Sequence, residues 1–219
     1  MLGDIQSFRS LFSKYTELRV QENRTGYLTL LKGDLINNTS AAIKGVSARV
    51  FDQGGWGFCS NSVVSCNSIR DIIKEATSNA SFLGRKKSNN IILPSSAGQS
   101  RNTFFTDKKH ITDKEKIAFL KEIDQYILNK YPGLTSRVVS HFVLEMEKQL
   151  LTSDNGESYS MIPRAGIGCS MTLMKNGSPV SLGDAFGGFG QFEDLFSDPS
   201  LLYPEIDTIY EHLMKKADG

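Results

Sequence analysis

The sequence is poor in the residues that most often announce a chemistry. It has 3 cysteines in 219 residues, Cys59, Cys66 and Cys169, odd in number and without a Cys-x-x-Cys pair. That argues against a disulfide scaffold and fits a reducing compartment. Its 3 histidines, His110, His141 and His212, are far apart, and none belongs to a His-Glu-x-x-His segment. A catalytic zinc site needs three protein ligands and an open position, and nothing in the sequence sets two ligands on one helical face. No apolar run approaches the roughly 18 residues that a membrane-crossing helix requires. The opening Met1-Leu2-Gly3-Asp4 lacks the basic-then-apolar pattern of a secretory leader. The net charge is only +1, which gives no global pull toward nucleic acid or anionic membrane. The basic run Arg85-Lys86-Lys87 is short and reads as a solvated loop. A soluble cytoplasmic protein is expected, with neither nucleic acid nor membrane as partner.

Other signatures are missing too. There is no Gly-x-Ser-x-Gly elbow for an esterase-type serine. The stretch Gly183-Asp184-Ala185-Phe186-Gly187-Gly188-Phe189-Gly190 lacks the Gly-Lys-Ser/Thr ending of a phosphate-binding loop, and alternating Phe and Gly better suits close backbone approach to another surface. Cys66 sits near an expected helix start, where a thiol pKa can fall, and Cys59 follows an aromatic strand. Free cysteine is more often a small buried apolar residue. His141, in a strand, could meet Cys169 across the following strands; an ordinary core histidine is the plainer reading. Glu145 and Glu147 share one strand face, which reads as the solvated face of a sheet. No residue is assigned to catalysis, to a cofactor or to a metal.

What is present is an ordinary globular composition, 39% hydrophobic and 22% charged, in a chain long enough to bury a core. Ile5, Phe8, Leu11, Phe12 and Tyr15 recur at helical spacing and predict a helix over residues 4–16 capped by Asp4. Alternation then predicts strands at 17–22 and 27–31, separated by a turn at Asn23-Arg24-Thr25-Gly26, and a polar edge strand over 35–42. Residues 44–61 predict a hairpin: Val46, Ala48 and Val50 share a face, Asp52-Gln53-Gly54-Gly55 forms the turn, and Trp56, Phe58 and Ser60 share a face of the returning strand. The first part is thus expected to hold about five strands. Ile69, Ile72, Ile73, Ala76, Ala80 and Leu83 make the stripe of a helix over 67–83, stopped at Gly84. Residues 85–112 carry little pattern and read as a linker or surface excursion. Helix returns over 113–130 and ends at Tyr131-Pro132-Gly133. From Thr135 a β-meander follows, turning at Asp154-Asn155-Gly156 and at Asn176-Gly177, before a last helix over 203–214. The expected class is α+β: antiparallel or mixed sheets packed with amphipathic helices, strand-rich in the second part. The expected division is 1–84, then 85–112, then 113–219, the whole being compatible with one domain.

Several of these segments carry a resemblance. Glu17-Leu-Arg-Val-Gln-Glu, Leu31-Lys-Gly-Asp-Leu and the hairpin Lys44-Gly-Val-Ser-Ala-Arg-Val-Phe-Asp-Gln-Gly-Gly-Trp-Gly-Phe-Cys-Ser-Asn resemble, in order and spacing, the amino-terminal region of the TldD/PmbA (modulator of DNA gyrase-like) zinc metallopeptidases. Leu151-Thr-Ser-Asp-Asn-Gly-Glu with Ile167-Gly-Cys-Ser-Met-Thr-Leu resembles that family's second strand block. The resemblance implies proteolysis or peptide maturation in the cytoplasm, often by a two-subunit protein complex. It implies a zinc held by a His-Glu-x-x-x-His segment and a later cysteine in the carboxy-terminal half, about where this chain ends. None of those metal residues carries over, so zinc is expected only in that half or in a partner chain. A peptide substrate and a catalytic TldD-like half, or homologous subunit, are the expected partners.

Three readings stand side by side. The chain is a non-catalytic amino-terminal part that binds peptide and assembles with a zinc-bearing part. Alternatively it is a stand-alone peptide- or protein-binding module without a peptidase partner. The third is an enzyme that uses Cys66 or Cys59. Peptide would bind by adding a strand to the edge at 35–42, and a proline at Asn38 is expected to weaken that binding.

Overall fold

The computed structural model describes residues 5–85 and 91–219. Asp4, expected as a helix cap, and Lys86 and Lys87 of the basic run lie outside the described residues. Seven strands form one mixed sheet: β1 (Tyr15–Leu31), β2 (Asp34–Asp52), β3 (Gly55–Asn61), β4 (Gly98–Thr103), β5 (Ser136–Thr152), β6 (Gly156–Lys175) and β7 (Ser178–Phe189). Their order is β3-β2-β1-β5-β6-β4, with β7 also paired to β6. β4 runs parallel to β6, whereas β3 on β2 and β7 on β6 are antiparallel. Among the described residues four α-helices accompany them: α1 (Cys66–Gly84), α2 (Asp113–Lys130), the single turn α3 (Phe192–Leu195) and α4 (Tyr203–Asp218). The class is α+β, as the sequence predicts. No helix among the described residues is long and apolar enough to cross a membrane.

The chain packs as two compact units. The first comprises Met1–Asn23, Ala42–Thr103 and Met146–Ile162. Its core joins Leu18 and Val20 of β1, Val46, Ala48 and Val50 of β2, and Ile69, Ile72, Ile73, Ala76 and Ala80 of α1. Ser65 caps α1 by accepting from the Ser68 amide at 3.1 Å. The helix lies against β3 because β3 offers glycine on that face: a Cβ at Gly57 would stand 2.1 Å from the Ala76 carbonyl oxygen. The second unit comprises Arg24–Ala41, Phe104–Glu145 and Pro163–Gly219. Its core joins Leu28, Leu30, Val139, Ile167 and Met171 of the strands to Leu120, Ile123 and Ile127 of α2 and Ile206, Ile209 and Leu213 of α4. Thr112 and Glu115 form a reciprocal capping box at the start of α2.

Several expected boundaries move. The helix over 4–16 is a short 3-10 turn, Gln6–Leu11, and β1 begins at Tyr15. Ile5 and Phe8 are buried, and then Thr16, Leu18 and Val20 are buried on alternate positions, so strand period wins over the helical stripe. Where about five strands are expected in the first part, the described residues form three, two of them 17 and 19 residues long. Asn23 to Gly26 is no turn: a Cβ at Gly26 would lie 2.9 Å from Val143 Cγ1, so this glycine serves close strand packing. The expected excursion over 85–112 contains β4, whose residues Gly98–Thr103 carry no apolar alternation to reveal a strand.

Candidate functional site

The expected edge strand is real. Pairing of β3 with β2 runs from Asp52 opposite Gly55 to Val46 opposite Asn61. Residues 34–41 of β2, in the second unit, therefore have β1 on one side and no strand of the described residues on the other. Leu35 and Ile36 stand 43% and 59% exposed on this segment. A bare edge with apolar side chains is a template for a further strand. The turn before it, Lys32-Gly33, has φ values of 53° and 89°, as a two-residue hairpin of this hand requires. The Thr39 carbonyl oxygen lies 4.0 Å from where a Gly26 Cβ would be, so Thr39 turns its carbonyl toward β1.

Beside this edge is a cavity of about 240 Å³. It is lined by Arg24 to Leu28 of β1, Asn38 to Ser40 of β2, His141, Val143 and Glu145 of β5, and Asp113 and Lys116 from the first turn of α2. His141 is 3% exposed. Its Nδ1 lies 3.1 Å from the Gly166 carbonyl oxygen, which can only accept, so Nδ1 carries the proton. Phe192 meets the ring edge-on at 5.0 Å. Burial pushes the His141 pKa below its ordinary value, with Lys116 adding to the effect and Asp113 and Glu193 opposing it. The charges of the wall pair among themselves: Arg24 Nε with Glu145 at 3.0 Å, and Lys116 with Asp113 at 3.6 Å. Gln191 donates to the other Glu145 oxygen at 2.8 Å.

The other residues singled out in the sequence do not converge. His110 is exposed and reaches Glu193 at 3.2 Å, while His212 is exposed on α4. Cys169 is buried with its thiol pushed up to about 12, chiefly by burial, and His141 turns its Nδ1 to Gly166 rather than to it. Cys59 bonds the Glu75 carboxylate at 3.4 Å, and its thiol pKa is raised by burial first and by Glu75 next, opposite to what activates a nucleophile. Cys66 is exposed in the first turn of α1. Glu145 and Glu147 are not a solvated face: Glu145 is tied to Arg24 and Gln191, and Glu147, 2% exposed, accepts from the Tyr159 hydroxyl at 3.0 Å. Burial and partners decide this, and period alone does not report them. The Phe/Gly stretch forms β7, where a Cβ at Gly187 would lie 2.3 Å from the Ala165 carbonyl oxygen, so its glycines serve strand packing. Among the described residues no group of three or more His, Cys, Asp or Glu is placed to hold a metal ion. These residues do not fit a zinc site. The His141 cavity was not singled out in the sequence, and its signals were a histidine on the inward face of a strand and a glycine at Gly26.

A family model described as PmbA/TldA metallopeptidase domain 1 matches residues 16–80, and one described as the PmbA/TldA metallopeptidase central domain matches residues 107–217. The chain belongs to the PmbA/TldA metallopeptidase family. A Methanocaldococcus jannaschii protein named as a metalloprotease is 24% identical to it over 181 residues, which is 80% of this chain and 39% of that protein. A solved structure from Bacteroides thetaiotaomicron, titled a candidate modulator of DNA gyrase, matches with a TM-score of 0.70 and 14% identity, covering 96% of this chain and 47% of that one. TldE from Thermococcus kodakarensis matches with a TM-score of 0.61 and 12% identity, covering 97% of this chain and 46% of that one. At such identities the structures attest the fold. The chain spans 39% of the length of the curated relative and less than half of both structures.

Proposed function

We propose that this chain is the non-catalytic amino-terminal part of a TldD/PmbA-type metallopeptidase, which binds peptide substrate and assembles with a zinc-bearing part or partner chain. The observation that carries the reading is the bare edge of β2 over residues 34–41, with Leu35 and Ile36 exposed on it. A peptide laid along it in extended form gains main-chain hydrogen bonds without regard to sequence, while alternate side chains meet the sheet face. Peptide hydrolysis, in this reading, is supplied by the zinc-bearing part. The metalloprotease name of the archaeal relative supports a proteolytic setting. Cytoplasmic location and the two-component assembly belong to the same proposal.

The test is fluorescence anisotropy of a labelled extended peptide on the purified chain and on two variants. Asn38→Pro, in the middle of this edge, removes a backbone donor and is expected to weaken binding about tenfold. Thr39→Pro, whose carbonyl lies close to Gly26, is expected to destabilise the sheet as well. Unchanged affinity in Asn38→Pro would sink the reading.

A further inference from the structure

We infer that the first unit holds a further binding site, a groove on the sheet face of β5, β6 and β4 that takes a free peptide of two or three residues by its two charged ends. This unit does not contain the β2 edge segment, and the inference does not depend on it. The groove encloses about 500 Å³. Strand register decides which side chains share it. Arg101 of β4 is the partner of Tyr159 on β6, and Gln99 that of Glu157. On β5, Glu147, Gln149 and Leu151 follow at the strand period and line the same groove. Leu151 and Ile5 belong to the apolar core of the unit and close one end. Beyond Leu151 the face turns polar although it stays buried, and Glu147 is 2% exposed.

One polar atom of the wall has no partner. The side-chain oxygen of Gln149 is buried and accepts no hydrogen bond. A buried acceptor left unpaired is costly, so the groove is built to receive a donor there. At the open side, the exposed Arg101 holds its guanidinium over the Tyr159 ring at 4.6 Å, and no carboxylate among the described residues pairs with it. Tyr159 is fixed in turn, because its hydroxyl donates to Glu147 at 3.0 Å. Glu157 is engaged by Arg9 at 2.8 Å and by Gln6 at 3.1 Å. The groove therefore offers a cation on β4 and acceptors, one of them charged, on β5.

That division of charge selects the occupant. A simple anion meets Arg101 but also the buried carboxylate of Glu147. A simple cation meets Glu147 but is repelled by Arg101. An apolar ligand leaves the Gln149 oxygen desolvated and unpaired. A zwitterion answers both sides: its carboxylate accepts from the planar guanidinium fork, and its ammonium donates to Gln149 and Glu147. Length follows from the sheet. β4 and β5 flank β6, so their backbones lie about 10 Å apart. One amino acid separates its charged groups by only about 3 Å, and each further residue adds about 3.5 Å. Two or three residues therefore span the gap between side chains that reach inward from β4 and β5.

The experiment is isothermal titration calorimetry of the whole chain with trialanine, its carboxamide, its N-acetyl form and free alanine. Trialanine is expected to bind with a Kd near or below about 1 mM, and blocking either end, or shortening to alanine, is expected to weaken binding about tenfold. In Arg101→Gln the free acid and the carboxamide are expected to bind alike, while the N-acetyl form stays weaker. In Gln149→Leu, which keeps an apolar side chain of similar size but accepts no hydrogen bond, the loss caused by acetylation is expected to shrink to about threefold or less. A second measurement needs no variant: with ¹⁵N-labelled arginine, trialanine is expected to shift the Arg101 Nε resonance more than the carboxamide does. Equal affinity for the free and blocked forms, as main-chain pairing at the β2 edge would give, overturns the inference and leaves the edge-strand reading standing. A preference for the free carboxylate that survives in Arg101→Gln, with no shift at Arg101, also overturns it. Alanine binding as tightly as trialanine contradicts the length, and no binding by about 10 mM trialanine removes the site altogether.

Discussion

The buried ring of His141 donates its Nδ1–H to the Gly166 carbonyl oxygen across 3.1 Å, joining β5 to β6 at the wall of the cavity. That bond fixes the neutral tautomer, and burial resists the second proton.

A pH dependence follows. The folded pKa of His141 is depressed, so the unfolded chain takes up a proton near pH 6.5 that the folded chain refuses. The contribution is fully present above that pH and is lost as the pH falls through it toward the folded pKa. Urea titrations followed by far-ultraviolet circular dichroism between pH 7.5 and 5.5, a window set about the unperturbed histidine pKa of ~6.5, are expected to show stability falling by up to about 1.4 kcal/mol per pH unit. In His141→Gln this part of the slope is expected to vanish. A variant with the wild-type slope would show that another group carries it.

Asp207 joins α4 to α2. It accepts from Tyr126 at 2.7 Å, from Tyr131 at 2.5 Å and from Lys130 at 2.7 Å, under ring stacks of Tyr126 on Tyr203 and Tyr131 on Tyr210. Burial opposes its charge, but the bonds from Lys130, Tyr131 and Tyr126 outweigh it and hold its carboxyl below the usual range. Asp207→Ala is expected to cost about 2 kcal/mol, since the half-buried hydroxyls regain water in part. Hydrogen exchange in α2 and α4 is expected to quicken together; a change confined to α4 would contradict the joint.

Gly57 lets α1 lie close on β3, with backbone atoms of Ala76 and Ala80 2.1 Å and 2.3 Å from the place of a Cβ. Gly57→Ala is expected to cost about 3 kcal/mol, because backbone cannot give way as a flexible side chain can. The urea midpoint reported by Trp56 is the measurement, and an unchanged midpoint would contradict the close packing.

Much of the fold was legible because buried positions repeat with the right period. Val46, Ala48 and Val50 announced one face of β2, and Ile69, Ile72, Ile73, Ala76 and Ala80 announced α1. What was hidden depends on partners distant in sequence. β4 shows nothing in Gly98–Thr103 itself, since its strand state comes from pairing with Gly156–Met161 of β6. Residues 23–26 carry turn residues, yet pairing draws them into one long strand. The edge of β2 was legible as a polar strand. The His141 cavity was not, because a lone histidine on a strand acquires meaning only when Gly26, Val143 and α2 are brought around it.

The measurement that bears most directly on the account is peptide hydrolysis by the purified chain, alone and mixed with the remaining carboxy-terminal part of a family relative. Each is assayed with and without chelator and after alkylation of the thiols. On the proposed function, no turnover is expected from the chain alone, and chelator-sensitive turnover is expected from the mixture. Turnover by the chain alone that survives chelator and disappears on alkylation would contradict the account and turn attention to Cys59 and Cys66.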